Sequence, residues 1–246
     1  MSELHAGTSG FAYASWKPGF YPPKLASNKF LEYYASRLNV VEINYTFRRL
    51  PSASTLEAWV KATPAGFVFA LKANMRITHI QRLKNAAEAT ELFLRMIDPL
   101  RSARRLGPIL FQLPPNLKCD TALLGDFLPN LPPDLRYAFE FRHASWLKEE
   151  VYDLLRARNI SLCVAESEKL EVPEVTTADF VYYRLRKPEY SPEERAEIAS
   201  RASELLAQGK DLYLFFKHED TPDGALYAEG LLTVGSRARE VRELSP

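Results

Sequence analysis

The stretch YAFEFRHASW (Tyr137–Trp146) shows the pattern that decides the fold, a short apolar run that ends in charged residues. Charges at the end of a buried strand are costly unless they line a wet, shared space. A closed parallel barrel supplies such a space at one rim, where barrel enzymes keep their chemistry. The pattern recurs in VVEINYTF (Val40–Phe47), FVFALKAN (Phe67–Asn74), PILFQLPP (Pro108–Pro115), FVYYRLRK (Phe180–Lys187) and LYLFFKHED (Leu212–Asp220).

Eight strand-like segments alternate with helix-like segments, an order that predicts a parallel sheet. The chain has 246 residues, a length typical of a single (β/α)8 TIM barrel. We predict one barrel domain over residues 1–234 and a charged C-terminal tail over residues 235–246. Because Ser167–Pro173 is too short and too charged for a full helix, the sixth βα unit is expected to be irregular. Strands are predicted at residues 4–8, 39–44, 67–72, 108–112, 136–141, 160–165, 180–185 and 211–216, and the clearest helices at Asn28–Arg37, Ala53–Lys61, Ala86–Met96, Leu147–Arg158 and Pro192–Gln208.

The composition argues against several classes of partner. Lysine and arginine total 32 against 31 acidic residues, so no strong field favours nucleic acid or an anionic membrane. No apolar run is long enough to span a bilayer, and no secretory signal is recognisable. The cysteines, Cys119 and Cys163, lack metal-type spacing and fit a reducing compartment, so a cytoplasmic location is expected. The oligomeric state stays open.

The alternation of side chains along each strand predicts which groups enter the barrel. In YAFEFRHASW, Phe139 and Phe141 provide the apolar outward face, which directs Glu140 and Arg142 inward. In the last strand both faces are aromatic, so the choice between Lys217 and His218 stays open. The predicted rim residues are Glu42, Asn44, Lys72, Gln112, Glu140, Arg142, Arg184 and Lys217 or His218, with Glu166 as a weaker member.

This mixture of carboxylates and cations indicates acid–base chemistry on a small polar or anionic molecule. Glu140 or Glu42 is expected to be the acid–base group, Lys72 and Arg142 to hold charge, and Arg184 to clamp the anion. Lys72 has two interpretations: an acid or base with a shifted pKa, or a fixed cation in an ion pair, which we favour. A purely structural layer, with Glu140 bridging Lys72 or Arg184, is the alternative for each single residue.

Cations gather where strands seven and eight end, at Arg184, Arg186, Lys187 and Lys217, a place where barrels often bind phosphate. Aromatic residues follow the turn GTSG (Gly7–Gly10) and are either a lid over the mouth or ordinary packing. Trp146 has the same two interpretations. The candidate ligand-binding residues are Asn44, His79, Gln112, His143, Trp146, Arg184, Lys217, Tyr13 and Trp16.

A metal site has weaker support. Glu42, Glu140, Glu166, His143 and His79 offer ligand types that a divalent ion accepts. The spacings HxH and HExxH are absent from the sequence, and Arg142 would bring positive charge close. We therefore expect no cofactor, with a divalent metal as the open alternative.

Six motifs in order, GTSGFAYASWKPGFYP, VEINYTFRRLP, FVFALKANMRITH, ILFQLPP, FEFRHASW and VTTADFVYYRLR, resemble the YecE-like family, a TIM-barrel domain of unknown function. The resemblance runs from about Gly7 to Leu232 and implies the barrel fold, but no reaction, substrate or cofactor. The chain departs from the family pattern at Arg186-Lys187, Glu166 and Lys217-His218-Glu219. The pattern maps onto Trp16, Glu42, Asn44, Thr46, Phe47, Lys72, Thr78, His79, Gln112, Pro114, Glu140, Arg142, His143, Trp146 and Arg184.

Three functions remain as hypotheses. The first is an enzyme, of hydrolase, lyase or isomerase type, that acts on a small polar or anionic molecule at the rim. The second is a metal-dependent nucleic-acid-processing barrel, against which the near-zero charge argues. The third is a non-catalytic ligand-binding protein, which fully paired rim charges without an accessible cavity would favour.

Overall fold

Eight parallel strands form a closed barrel in which β1 pairs with both β2 and β8. The computed structural model describes residues 2–217 and 220–243, and side chains as far as residue 233. The strands neighbour one another in sequence order, so the predicted TIM barrel is confirmed. They are β1 (Leu4–Ser9), β2 (Val40–Ile43), β3 (Val68–Lys72), β4 (Leu106–Gln112), β5 (Tyr137–Glu140), β6 (Ser161–Ala165), β7 (Phe180–Leu185) and β8 (Asp211–Phe216).

The helices lie between the strands, with one gap. The segment 166–179, between β6 and β7, contains no helix, as expected for a stretch that is so charged. The helices are α1 (Phe30–Arg37), α2 (Ala53–Lys61), α3 (Ala87–Met96), α4 (Asp98–Ser102), α5 (Thr121–Phe127), α6 (Glu149–Arg156), α7 (Pro192–Ala207) and α8 (Asp223–Glu243).

The longest of the predicted helices, α7, starts where its sequence signals place the start. Ser191 accepts a hydrogen bond from the backbone N–H of Glu194, and the Glu194 carboxylate accepts one from the N–H of Ser191. This reciprocal cap, with Pro192 at the first position, satisfies donors that the first helical turn leaves free. Gly209, with φ of 78°, follows the helix and permits the left-handed turn that leads into β8.

The two faces of the strands build two separate apolar clusters. Outward side chains such as Val41, Phe139 and Leu214 pack with the helices in the larger cluster. Inward side chains such as Leu110 and Phe215 form a smaller cluster inside the barrel. This inner cluster fills the middle of the barrel. Lys72, Gln112 and Glu140 are the last residues of their strands, so their polar groups lie at the carboxyl-end mouth.

The end of the chain is partly described. Helix α8 runs through much of the predicted tail, up to Glu243, while residues 244–246 lie outside the described residues. His218, one of the two candidates at the end of β8, also lies outside them. In the part of the chain that the structure describes, we find no helix with the length and apolar character needed to cross a bilayer.

Candidate functional site

Arg184, at the end of β7, is the centre of the polar mouth. Its Nη1 donates to Oε2 of Glu140 at 2.6 Å, and its Nη2 donates to Oε1 of Glu42 at 2.8 Å. All three side chains are at most 2% exposed. Glu42, Glu140 and Arg184 come from β2, β5 and β7, so the barrel brings together charges that are far apart in sequence. The prediction that these side chains point inward is confirmed.

Glu42 is held by four donors. Besides Arg184, the Ser9 hydroxyl donates to its Oε1 at 2.7 Å, the Asn44 amide at 3.3 Å, and the Tyr182 hydroxyl to its Oε2 at 2.7 Å. Burial alone would raise the pKa of this carboxyl group. Arg184 and the hydrogen bonds from Ser9 and Tyr182 outweigh burial and hold the pKa of Glu42 below its usual range.

Glu140 is saturated in the same way. Gln112 Nε2 donates to both carboxylate oxygens, at 2.9 and 2.8 Å, and Arg186 Nη2 donates to Oε1 at 2.9 Å. Burial alone would raise the pKa of the Glu140 carboxyl group. The charges of Arg184 and Arg186 and the hydrogen bonds from Gln112 outweigh burial and lower this pKa to about 2. Glu140 is therefore a permanent negative charge at neutral pH.

Lys72, at the end of β3, does not form the ion pair that the sequence suggested. Its Nζ donates to the amide oxygen of Gln112 at 2.8 Å and lies 4.2 Å from the centre of the Phe47 ring. Gln112 thus accepts from Lys72 through its oxygen and donates to Glu140 through its nitrogen. Within residues 2–217 and 220–233, no carboxylate lies at ion-pairing distance from Lys72. Burial and the charge of Arg184 lower the pKa of Lys72 to about 8, against an opposing effect of Glu140 and Glu42.

The mouth carries an excess of positive charge near Lys72. Burial and the positive charges of Lys72, Arg142 and Arg82 lower the pKa of His79. His79 Nδ1 hydrogen-bonds to the Thr78 hydroxyl at 2.9 Å, and its ring meets the Phe47 ring edge-on at 4.8 Å. Arg142 is exposed and forms no side-chain hydrogen bond or ion pair with the described residues.

The cations that follow β7 and β8 do not converge on an open site. Arg184 and Arg186 are paired with buried carboxylates, and Lys187 Nζ donates to Glu194 on α7 at 2.7 Å. Lys217 is exposed beyond the end of β8. Glu166, after β6, accepts from the backbone N–H of Arg186 at 2.5 Å and from that of Lys187 at 3.1 Å, so it shapes the segment that follows β7.

Two of the aromatic candidates, Trp16 and Trp146, pack against other aromatic rings. Trp146 is fully buried, stacks on the outward Phe141 and donates from its indole to the Leu117 carbonyl at 2.8 Å. Trp16 is also fully buried, between the rings of Tyr13 and Tyr21. These contacts are those of packing beneath long loops.

Two more candidates make mainly local contacts. The His143 ring hydrogen-bonds to the Ser145 hydroxyl at 2.8 Å and accepts from the Ser145 backbone N–H, so it caps a short 3₁₀ turn (Ala144–Trp146). The Tyr13 hydroxyl donates to the Ser9 carbonyl at 3.0 Å, and its ring covers Gly10, where a Cβ atom would collide with it. Gly10 N–H donates to the Glu42 carbonyl at 2.9 Å, so the residue after β1 is tied to β2. The prediction of a turn at Gly7–Gly10 is wrong for its first three residues, which belong to β1.

Three contributors to the mouth were not among the candidates. Ser9 and Tyr182 hold Glu42, and Phe47 covers Lys72. Strand alternation already directs Tyr182 inward, one inward position before Arg184, and Ser9 ends β1 in register with Glu42. Inward polar residues on the strands themselves were therefore the available signal. Phe47 lies in a 3₁₀ turn (Tyr45–Phe47) after β2, where strand alternation has no meaning.

The oxygens of the two buried carboxylates are occupied by hydrogen-bond donors of the protein itself. The donors come from arginine, tyrosine, serine and amide side chains, and they leave Glu42 and Glu140 poorly placed to bind a metal ion as well. Among the described residues, no group of three or more His, Cys, Asp or Glu side chains is placed to share an ion.

A closed parallel barrel with its polar groups at the carboxyl ends of the strands defines a protein of the TIM-barrel class. Within that class, the chain belongs to the family described as "Protein of unknown function DUF72", which it matches over residues 5–245. The resemblance to the YecE-like family is thereby confirmed at the level of the family.

The chain is similar to one curated sequence and to several solved structures. It is 32% identical over 139 residues to the UPF0759 protein YunF of Bacillus subtilis (strain 168), a match that covers 54% of this chain and only 49% of that relative. A DUF72 family crystal structure from Thermotoga maritima MSB8 superposes with a TM-score of 0.84 at 29% identity, covering 95% of this chain and 99% of that one. A sugar phosphate isomerase/epimerase from Parabacteroides distasonis ATCC 8503 superposes at 0.58 with 10% identity, covering 95% and 94%, and shares the fold alone.

Proposed function

We propose that this protein is an enzyme that binds a small anionic molecule at the carboxyl-end mouth and uses Lys72 to transfer a proton. The observation that carries the proposal is the Lys72 ammonium, held by the neutral Gln112 amide at 2.8 Å and lacking a carboxylate partner among the described residues. A half-buried cation without a counter-ion attracts an anionic ligand, because the ligand restores the missing charge.

The charge balance of the mouth supports an anion. The cluster joined by side-chain contacts has three cations, Lys72, Arg184 and Arg186, and two carboxylates, Glu42 and Glu140. Arg184 and Arg186 are neutralised within it, so the surplus falls on Lys72. Arg142 and His79 add positive or donor groups on the same side, and we assign them to anion binding.

The pKa values favour Lys72 over the two glutamates as the proton carrier. A group exchanges protons best when its pKa lies near the working pH. The pKa of Lys72 is lowered to about 8, whereas that of Glu140 is about 2 and that of Glu42 is also lowered. In this proposal the glutamates are fixed charges that orient Arg184 and Gln112, and Gln112 in turn orients Lys72.

Proton transfer by Lys72 is compatible with hydrolase, lyase and isomerase reactions. The structural neighbour described as a sugar phosphate isomerase/epimerase supports the fold and does not select among them. A cytoplasmic location is part of the proposal, since Cys119 and Cys163 are both free thiols.

A non-catalytic binding protein is the second candidate. It is favoured by the small cavity at the mouth, about 60 Å³, lined by Glu140, Arg142 and Arg186 among others, and by the complete pairing of both carboxylates. Such a protein would retain an anion without changing it.

The test compares wild-type protein, Lys72→Met and Lys61→Met in a metabolite extract analysed by mass spectrometry. Lys61 is an exposed lysine at the end of α2, so its variant controls for the loss of one positive charge. We expect wild type and Lys61→Met to deplete the same anionic metabolite and form a product, and Lys72→Met to leave it intact. Equal depletion by Lys72→Met would refute the proposal. Retention of an anion without a product would favour the binding protein.

A further inference from the structure

The missing sixth helix leaves a cavity on the outside of the barrel. In a (β/α)8 barrel the outward strand faces are normally covered by helices. Here β6 is followed by the helix-free segment 166–179, and a cavity of about 400 Å³ lies over the outward faces of β6, β7 and β8, beside α7. That volume lies within the usual range for small-molecule sites and greatly exceeds the cavity at the mouth.

The wall of this outer cavity is apolar. Val164, Leu185 and Leu214 contribute from three neighbouring strands, and Ile198 and Ala202 face them from α7. Binding sites for small molecules are typically lined in this way, with a few polar groups that fix orientation. An occupant would therefore need an apolar body.

The edge of the outer cavity is acidic. Four glutamates and two cations line it, so negative charges exceed positive ones by two. Both cations are already neutralised: Lys187 pairs with Glu194 at 2.7 Å, and Arg201 pairs with Glu174 at 2.7 Å. The surplus falls on Glu166, which accepts backbone N–H groups, and on Glu197, which has no hydrogen-bond or ion-pair partner among the described residues.

We propose that the outer cavity is a second binding site, separate from the mouth, for a small molecule with an apolar body and one cationic head, such as an arylalkyl amine. The apolar body lies against the strand faces and the ammonium group lies at Glu197 and Glu166. An anionic molecule of the same shape is excluded by the surplus of carboxylates.

The site reaches the mouth through Glu166. Its carboxylate lines the outer cavity and also accepts from the backbone N–H of Arg186, whose guanidinium donates to Glu140. An occupant of the outer cavity therefore lies next to a group that positions part of the mouth. The binding proposal itself does not depend on the function proposed for the mouth.

The probe is 4-phenylbutylamine, with 4-phenylbutanol and 4-phenylbutyrate as uncharged and anionic analogues, titrated by NMR into the full chain. We expect saturable binding of the amine, with an affinity about fivefold or more above that of either analogue. Glu197→Gln should weaken the amine about two- to fivefold and leave the alcohol unchanged. Glu57→Gln, an exposed glutamate on α2, is the matched control and should change neither.

Ala202→Phe tests whether the amine binds in the outer cavity. Ala202 lines this cavity and is 3% exposed, so a larger side chain at this position fills the cavity. We expect it to abolish amine binding. If this variant does not fold, as judged by circular dichroism, the comparison of Glu197→Gln with Glu57→Gln decides alone. Absence of saturable amine binding, equal affinities for the three analogues, or an amine affinity unaffected by Glu197→Gln would each overturn the proposal.

Discussion

Lys72 Nζ donates to the amide oxygen of Gln112 across 2.8 Å, so the half-buried ammonium of the mouth is held by a neutral group. The amide nitrogen of the same Gln112 donates to both oxygens of Glu140. A direct ion pair would have raised the pKa of Lys72, whereas this relay leaves burial and Arg184 free to lower it. The amide therefore keeps Lys72 cationic near neutral pH yet able to release its proton.

Anion affinity should fall as pH rises through the pKa of Lys72. Sulfate is a suitable probe because its charge is constant over this range. Below about pH 8 the Lys72 ammonium is present, and above it the neutral amine no longer attracts the anion. We expect Lys72→Met to weaken sulfate about tenfold at pH 7 and to flatten the pH profile. Isothermal titration calorimetry from pH 6 to pH 10 measures both. A profile of Lys72→Met that parallels wild type would contradict the assignment.

Glu140→Gln should destabilise the fold, because it leaves Arg184 with one carboxylate and Arg186 with none. Removal of one partner from a buried charge network typically costs about 3–5 kcal/mol. Denaturant unfolding of the variant measures the loss. Glu57→Gln, on an exposed helix face, should stay within about 0.5 kcal/mol of wild type. A cost for Glu140→Gln as small as that of the control would mean that the network contributes nothing to stability.

The free energy of unfolding at acidic pH should also depend on Glu140. Its pKa is lowered in the folded state from 4.5 to about 2, so its contribution to the free energy of unfolding is complete above about pH 4.5 and lost as pH falls through 2. We expect the wild-type free energy of unfolding to decline more steeply than that of Glu140→Gln between these values. Denaturant titrations at pH 2, 3, 4 and 5 measure the two slopes, and equal slopes would contradict the lowered pKa.

The fold and the mouth differ in how far the sequence predicts them. The outward faces of β2, β3, β5 and β7 are apolar, so alternation alone directs Glu42, Lys72, Glu140 and Arg184 inward. Alternation does not predict which inward side chains contact one another. That choice depends on strand stagger around the closed barrel, which brings Gln112 rather than a carboxylate to Lys72.

Residues beyond the ends of the strands were the least predictable, because no alternation applies to loops. Trp16 and Trp146 follow strands in sequence and belong to the family pattern, but both rings turn into apolar packing. The absence of a sixth helix was readable from length and charge, since Ser167–Pro173 is short and carries three charged residues. The outer cavity over β6–β8 could not be predicted from the sequence, because its walls come from strands and a helix that are distant in sequence.

Trp146→Phe should separate packing from ligand binding. The variant keeps an aromatic ring on Phe141 and loses the hydrogen bond to the Leu117 carbonyl, a partly buried acceptor. We expect a loss of about 1–3 kcal/mol in the free energy of unfolding and an unchanged sulfate affinity. Denaturant unfolding and calorimetry measure the two effects on one sample. A large loss of sulfate affinity with unchanged stability would place Trp146 in the ligand site instead.

Glu166 should prove to be a positioning residue for Arg186. Its carboxylate accepts from the backbone N–H groups of Arg186 and Lys187 and from the Tyr190 hydroxyl. Glu166→Ala removes this acceptor, and we expect it to lower the free energy of unfolding by about 1–3 kcal/mol and to shift the side-chain Nε resonance of Arg186. Glu166→Gln retains an acceptor oxygen and should lose less.

Glu168, an exposed glutamate two residues further along the same segment, supplies the matched control. Its replacement by alanine removes the same charge without removing any acceptor for Arg186, so it should leave both the free energy of unfolding and the Arg186 resonance near their wild-type values. Equal effects of Glu166→Ala and Glu168→Ala would show that segment charge, and not the hydrogen bond at Arg186, sets the position of that arginine. If only the resonance moves, Glu166 positions Arg186 without stabilising the barrel.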